Sequence, residues 1–242
     1  MSTKTSTFQS VNSKLLFLGD YYKYQTFSPP LHLGAKYTTK HIHLKAYRTG
    51  RTKARSASQK RTRLFNISLC NLKYATDSRV KFLTLTVAEP QFELARLSRM
   101  FTKFIMRLEY KLGFKVKYIG LPERHDSSAT SSSRRGSYHI HVIFFNLPYL
   151  SMDDYRHLWP HGFLYVKAIS VEASYRGLSY VLKYISEDQL LNARVYMPRH
   201  MERPRSVYNV LKPSLTPIFE HETIIIDTLV PTTIRTSLYK IT

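Results

Sequence analysis

The chain has 242 residues, 43% of them hydrophobic, which is enough for one generous domain or for a domain with a substantial extension. Lys and Arg number 37 against 16 Asp and Glu, and a surplus of +21 points to a polyanionic partner, because neutralising phosphates releases condensed counterions. A single cysteine excludes internal disulfides and multi-cysteine zinc modules, no apolar run approaches the roughly 18 residues of a membrane span, and no glycine-rich GxxxxGK loop argues for an ATPase.

The amino-terminal text MSTKTSTFQS has no apolar leader, so a soluble protein of the host cytoplasm is expected. From Tyr21 to Thr76 there is no acidic residue, while Lys36, Lys40, Lys45, Arg48, Arg51, Lys53, Arg55, Lys60, Arg61 and Arg63 accumulate. Tyrosines interleave at 21, 22, 24, 37 and 47. Bases can stack on such rings while the cations follow the backbone. The run 48–63 reads equally as a solvated, disordered arm.

From Lys81 the pattern becomes regular. Lys81–Val87 alternates as a strand. Pro90 opens a helix in which Leu94, Leu97, Phe101, Phe104, Ile105, Leu108 and Leu112 follow the helical period, and Gly113 stops it. Phe114–Leu121 is a predicted strand, Ser127–Ser137 a loop rich in Ser and Arg, and Tyr138–Phe145 an apolar strand central in a sheet. Ser151 with Asp154 forms a capping box for a short helix to Trp159, Phe163–Ile169 is a strand, and Glu172–Asp188 a helix. Prolines 198, 204, 213 and 217 punctuate a loose segment, after which Thr223–Leu229 and Ile234–Ile241 are β-rich around a turn at Pro231. This order implies an α+β fold in which a central antiparallel sheet is flanked by helices.

Two constellations carry chemistry. His139 and His141, two apart on a strand, point to one face and offer adjacent nitrogen donors. The pair His41 and His43 repeats the pattern without a nearby carboxylate, and reads as chance or as a DNA-facing pair. Glu123 ends the strand preceding His139, and a hairpin would bring it to the imidazoles. Two imidazoles and a carboxylate with positions left open suit Mg²⁺ or Mn²⁺ acting on a phosphate. His125 is a weaker ligand candidate on the same turn. In the helix 172–188, Leu178, Val181, Leu182 and Ile185 form an apolar stripe, and Tyr180, Lys183, Tyr184 and Glu187 lie opposite it. A phenol can attack a metal-polarised phosphodiester, and a lysine can hold the scissile phosphate or favour the phenolate.

Three segments in this order resemble the rolling-circle replication initiators of plasmids and single-stranded DNA phages, in the HUH endonuclease superfamily. Phe82-Leu-Thr-Leu-Thr86 is similar to their first motif, and His139-Ile-His141 with Glu123 to the metal-binding second. Tyr180-Val-Leu-Lys183-Tyr184 resembles the third, two-tyrosine motif. The similarity covers about residues 80–205 and includes the LWPHGF stretch. It implies a ferredoxin-like or RRM-like nickase fold and a metal-dependent site-specific nickase and strand transferase acting on single-stranded and origin DNA. By that resemblance Tyr180 becomes linked to the 5′ phosphate, leaving a 3′ hydroxyl for a host polymerase, and Tyr184 can end the round. Ser186-Glu187-Asp188 departs from the further lysine that the family often carries. Its cysteine-rich zinc region and the helicase domain of some relatives are missing, so a host helicase would open the duplex.

The expected organisation is a basic extension over 1–76, partly disordered, a nickase domain over 77–205, and a β-rich segment over 206–242. A non-catalytic single-strand-binding module on an RRM-like sheet, and a transposase or relaxase of the same superfamily, remain the competing readings.

Overall fold

A computed structural model describes residues 9–33, 48–125, 136–170, 194–225 and 232–240. The expected helix 172–188 with Tyr180, Lys183 and Tyr184 lies outside the described residues, as do His41, His43, Tyr37, Tyr47, most of the loop 127–137 and the turn at Pro231. The fold is α+β with two antiparallel sheets. The chain divides into two compact units, Met1–Thr49 with Arg203–Thr242, and Gly50–Glu202.

The first unit is a sheet of five strands: β1 (Gln9–Phe17), β2 (Tyr21–Leu33), β7 (Arg205–Tyr208), β8 (Phe219–Ile225) and β9 (Thr232–Lys240), in the order β7-β1-β2-β9-β8. It joins segments as far apart as Asn12 and Asn209, whose backbone N–H and side-chain oxygen meet at 3.0 Å. The amino-terminal tyrosines are corrected here. Tyr21 and Tyr24 are buried in this unit, and Tyr22 is half-buried with its ring edge-on to Phe17. Burial of their apolar bodies in a strand uses these rings for packing, so they are not free to stack on bases.

The second unit begins in α1 (Arg48–Asn71), which occupies the basic run that also read as a disordered arm. Four strands follow, β3 (Arg79–Leu85), β4 (Tyr118–Arg124), β5 (Tyr138–Phe144) and β6 (Leu164–Ser170), in the order β4-β5-β3-β6. Between them lie α2 (Leu94–Leu112) and α3 (Met152–Leu158). Leu97, Phe101, Phe104, Ile105 and Leu108 of α2 pack against Leu83, Leu85, Ile140, Val142 and Phe144 of the sheet. Each fully buried Leu or Phe contributes about 1.5–3 kcal/mol. Gly113 stops α2 at φ 72°, donating its N–H to Glu109 O. The capping box of Ser151 and Asp154 opens α3 as expected. Lys111 at 2.8 Å, together with Ser151, holds the Asp154 carboxyl down to about 2.

The expected strand 114–121 starts later and runs further, as Tyr118–Arg124. Residues before it are tied to side chains instead of a partner strand, Val116 N–H to Glu109 Oε1 at 3.1 Å and Lys117 N–H to Asn146 Oδ1 at 2.6 Å. Pro122 is tolerated because β4 is an edge strand, whose outer side needs no ladder donor there.

The LWPHGF stretch clamps the end of β3. Trp159 Nε1 donates to Thr86 O at 2.8 Å, Thr86 N–H to Phe163 O at 2.9 Å, and Ala88 N–H to His161 O at 2.8 Å. Between those bonds, a Cβ on Gly162 would lie 2.5 Å from Ala88 N and 2.7 Å from Thr86 O. Neither backbone atom can yield without breaking the ladder. Gly162→Ala is therefore expected to cost about 1–3 kcal/mol, read as a fall of several degrees in thermal midpoint; an unchanged midpoint would remove the clamp. Burial, with Arg107 and Lys103 nearby, holds the His161 imidazole below its ordinary range. The unfolded chain therefore takes up a proton that the folded one resists as pH falls from 7 to 5, and stability drops in that window. Denaturant titrations of His161→Phe should show a flatter profile over the same range than the parent protein.

Candidate metal centre

The register of three strands assembles the site. Glu123 on β4 lies directly opposite His139 on β5, and His141 lies between Leu121 on β4 and Thr84 on β3. Because side chains alternate along a strand, Ile140, Val142 and Phe144 turn to α2 and the two histidines turn to the other face.

There the three ligand atoms converge. His141 Nε2 is 2.8 Å and His139 Nε2 3.4 Å from Glu123 Oε2, and the two imidazole nitrogens are 3.0 Å apart. The His139 side chain is 9% exposed, against 28% for His141 and 27% for Glu123, so the group is rooted in the protein yet open on one side. Among the described residues this is the one group of His, Cys, Asp or Glu whose ligand atoms all lie within 4.8 Å.

His141 is held from two sides. Thr84 Oγ1 lies 3.0 Å from its Nδ1, and the Phe82 ring stacks on it with centroids 5.4 Å apart and planes 16° apart. When Nδ1–H donates to the threonine hydroxyl, the Nε2 lone pair is left facing His139 and the carboxylate. Two facing imidazole lone pairs and a carboxylate need a proton or a cation between them. His139 Nδ1 is buried without a hydrogen-bond partner among the described residues. Two nitrogens and one oxygen from a partly open pocket therefore fit a divalent ion.

His125, the weaker candidate, does not join this group. Its ring stacks on His139 instead, with centroids 4.4 Å apart, and its backbone closes the hairpin through bonds to Ser137 and Gly136. Sequence reasoning assigned no individual role to Thr84 or Phe82. The alternation in FLTLT carried the signal, since it puts both on one face of a strand, but only the pairing of β3 with β5 shows that His141 is what they meet.

Residues 80–189 match the model of a family described as replication-associated protein ORF2, a span of somewhat less than half the chain. It includes the ligand group and the positions of Tyr180, Lys183 and Tyr184. This similarity supports a replication-associated protein that acts on DNA. No curated protein and no solved structure matches the chain. No helix among the described residues is long and apolar enough to cross a membrane.

Calorimetric titration with Mn²⁺, without DNA, should show one site that is lost in His139→Ala or Glu123→Gln. Thr84→Val should weaken that site roughly ten- to a hundredfold while Thr84→Ser keeps it, because the hydroxyl orients His141. Equal affinity in Thr84→Val and the parent protein would show that the hydroxyl has no such part.

Proposed function

We propose that this protein is a replication initiator that cuts one strand of DNA at an origin by transferring the scissile phosphate to a tyrosine. The observation that carries the reading is the convergence of Glu123, His139 and His141 within a span similar to replication-associated proteins. In this reading the three residues hold Mg²⁺ or Mn²⁺. Such an ion, when bound, polarises phosphoryl oxygens and stabilises charge on the departing oxygen.

Tyr180 is assigned as the nucleophile. Its phenolic oxygen forms a bond to phosphorus while the bond from phosphorus to the 3′ oxygen breaks, and the phenolic proton ends on that oxygen. The products are a 5′-phosphotyrosine and a free 3′ hydroxyl, which a host polymerase can extend. Lys183 contacts the scissile phosphate and favours the phenolate, whose pKa is ordinarily about 10. Tyr184 is the second nucleophile, taking the strand when the round ends. One phosphoester replaces another, so rejoining requires no nucleoside triphosphate. A host helicase opens the duplex ahead, and the surplus of cations holds the protein to DNA in the cytoplasm.

Tiled, labelled single strands from the DNA that carries its gene, incubated with Mn²⁺ and resolved on a denaturing gel, test this. One strand should yield a covalent protein adduct that chelation abolishes and Tyr180→Phe removes. Tyr184→Phe should still form the first adduct but fail in a second transfer. An adduct undiminished in Tyr180→Phe would overturn the assignment of the nucleophile. Salt-sensitive binding with no adduct from any strand would leave a non-catalytic single-strand-binding protein.

A further inference from the structure

The face of the sheet that carries the ligand group continues sideways into β6. Thr84 lies opposite His141 on one side and opposite Tyr165 on the other, so Leu121, His141, Thr84 and Tyr165 form one row across four strands. In the adjacent row Phe82, the ring stacked on His141, is paired with Lys167. Two strand spacings, about 10 Å, separate the backbones of His141 and Tyr165. That is about the reach from a phosphate to the base of a neighbouring nucleotide.

Packing accounts for the other side of β6 but not for this one. Leu164 is buried and Val166 half-buried, and both join the core beneath α2. Tyr165 is 49% exposed, Lys167 is exposed, and no acidic residue lies on the strand. A flat aromatic ring beside a cation, on a rigid strand and in register with a phosphate-directed group, suits a nucleotide: the ring takes the base and the ammonium takes the backbone. The charge of +21 favours a polyanion over an apolar occupant.

We propose that Tyr165 is the stacking platform for one unpaired base of the DNA strand, flanking the phosphate held at the Glu123–His139–His141 group, and that Lys167 contacts the adjoining backbone. This rests on the reading that a single strand is the substrate. It does not require that the strand be cut.

Fluorescence anisotropy in the presence of a chelator tests it, using a labelled dodecathymidylate and the same strand carrying one abasic site at each position in turn. Stacking of one base is worth roughly five- to a hundredfold in affinity. Tyr165→Ala should weaken the intact strand by a factor in that range, and Tyr165→Phe should not. At one position the abasic strand should lose that same factor with the parent protein and lose nothing further with Tyr165→Ala, so that ring and base behave as one interaction. Unaltered affinity in Tyr165→Ala, or losses that multiply independently at every position, would overturn the platform. Mn²⁺ titration of Tyr165→Ala should give the parent affinity, which separates loss of the ring from loss of the fold. Tight stacking without any covalent adduct would remove the nickase and leave this site, and adduct formation with no contribution from Tyr165 would do the reverse.

Discussion

The candidate site depends on the register of β5 against its two neighbours. Pairing with β4 sets Glu123 opposite His139, and pairing with β3 sets Thr84 opposite His141. Slipping either pair by one residue would turn a partner to the opposite face of the sheet. Register is fixed by the other face: Ile140, Val142 and Phe144 must stay beneath Leu97, Phe101, Phe104 and Leu108. Burial of that apolar set outweighs the cost of gathering two imidazoles and a carboxylate on the far side, so the core determines where the polar group stands.

A consequence is that the site is built on strands and not on loops. His139, His141, Thr84, Phe82 and Glu123 all lie within ladder-bonded segments, which hold ligand atoms more precisely than a free loop. The ends of those strands are secured separately. Trp159, His161 and Phe163 extend the pairing of β3 to Ala88, and Gly162 lets the two backbones approach closely enough for it. The resemblance of LWPHGF to an initiator segment thus has a physical counterpart here, in support of the strand that carries Phe82 and Thr84.

Charge plays a different part. Ion pairs such as Arg156–Asp153 and Lys115–Glu109 join exposed groups and add little stability, whereas the unbalanced cations favour a polyanion. The basic run of the amino-terminal third is divided between the two units. Residues up to 33 contribute β1 and β2, and from Gly50 the run belongs to α1 in the unit that holds the ligand group.

Much of the second unit was legible in the sequence, because its signals are local. The 3.6-residue spacing of Leu97, Phe101, Phe104, Ile105 and Leu108 marked α2, Gly113 its end, and Ser151 with Asp154 the start of α3. The spacing of His139 and His141 fixed two nitrogens on one face before any pairing was known. The first unit was not legible. Its sheet is closed by partners nearly the whole chain apart, and a strand whose partners lie there leaves no nearby pattern, so Tyr21 and Tyr24 read as ligands for bases when they are core. Likewise the sequence could nominate Glu123 but not its distance to the histidines, and it assigned no role to Thr84, Phe82 or Tyr165. Residue types and their spacing along one element are written in the chain. Which residue of another strand lies opposite is settled by packing, because the choice among registers belongs to the core that all the strands share.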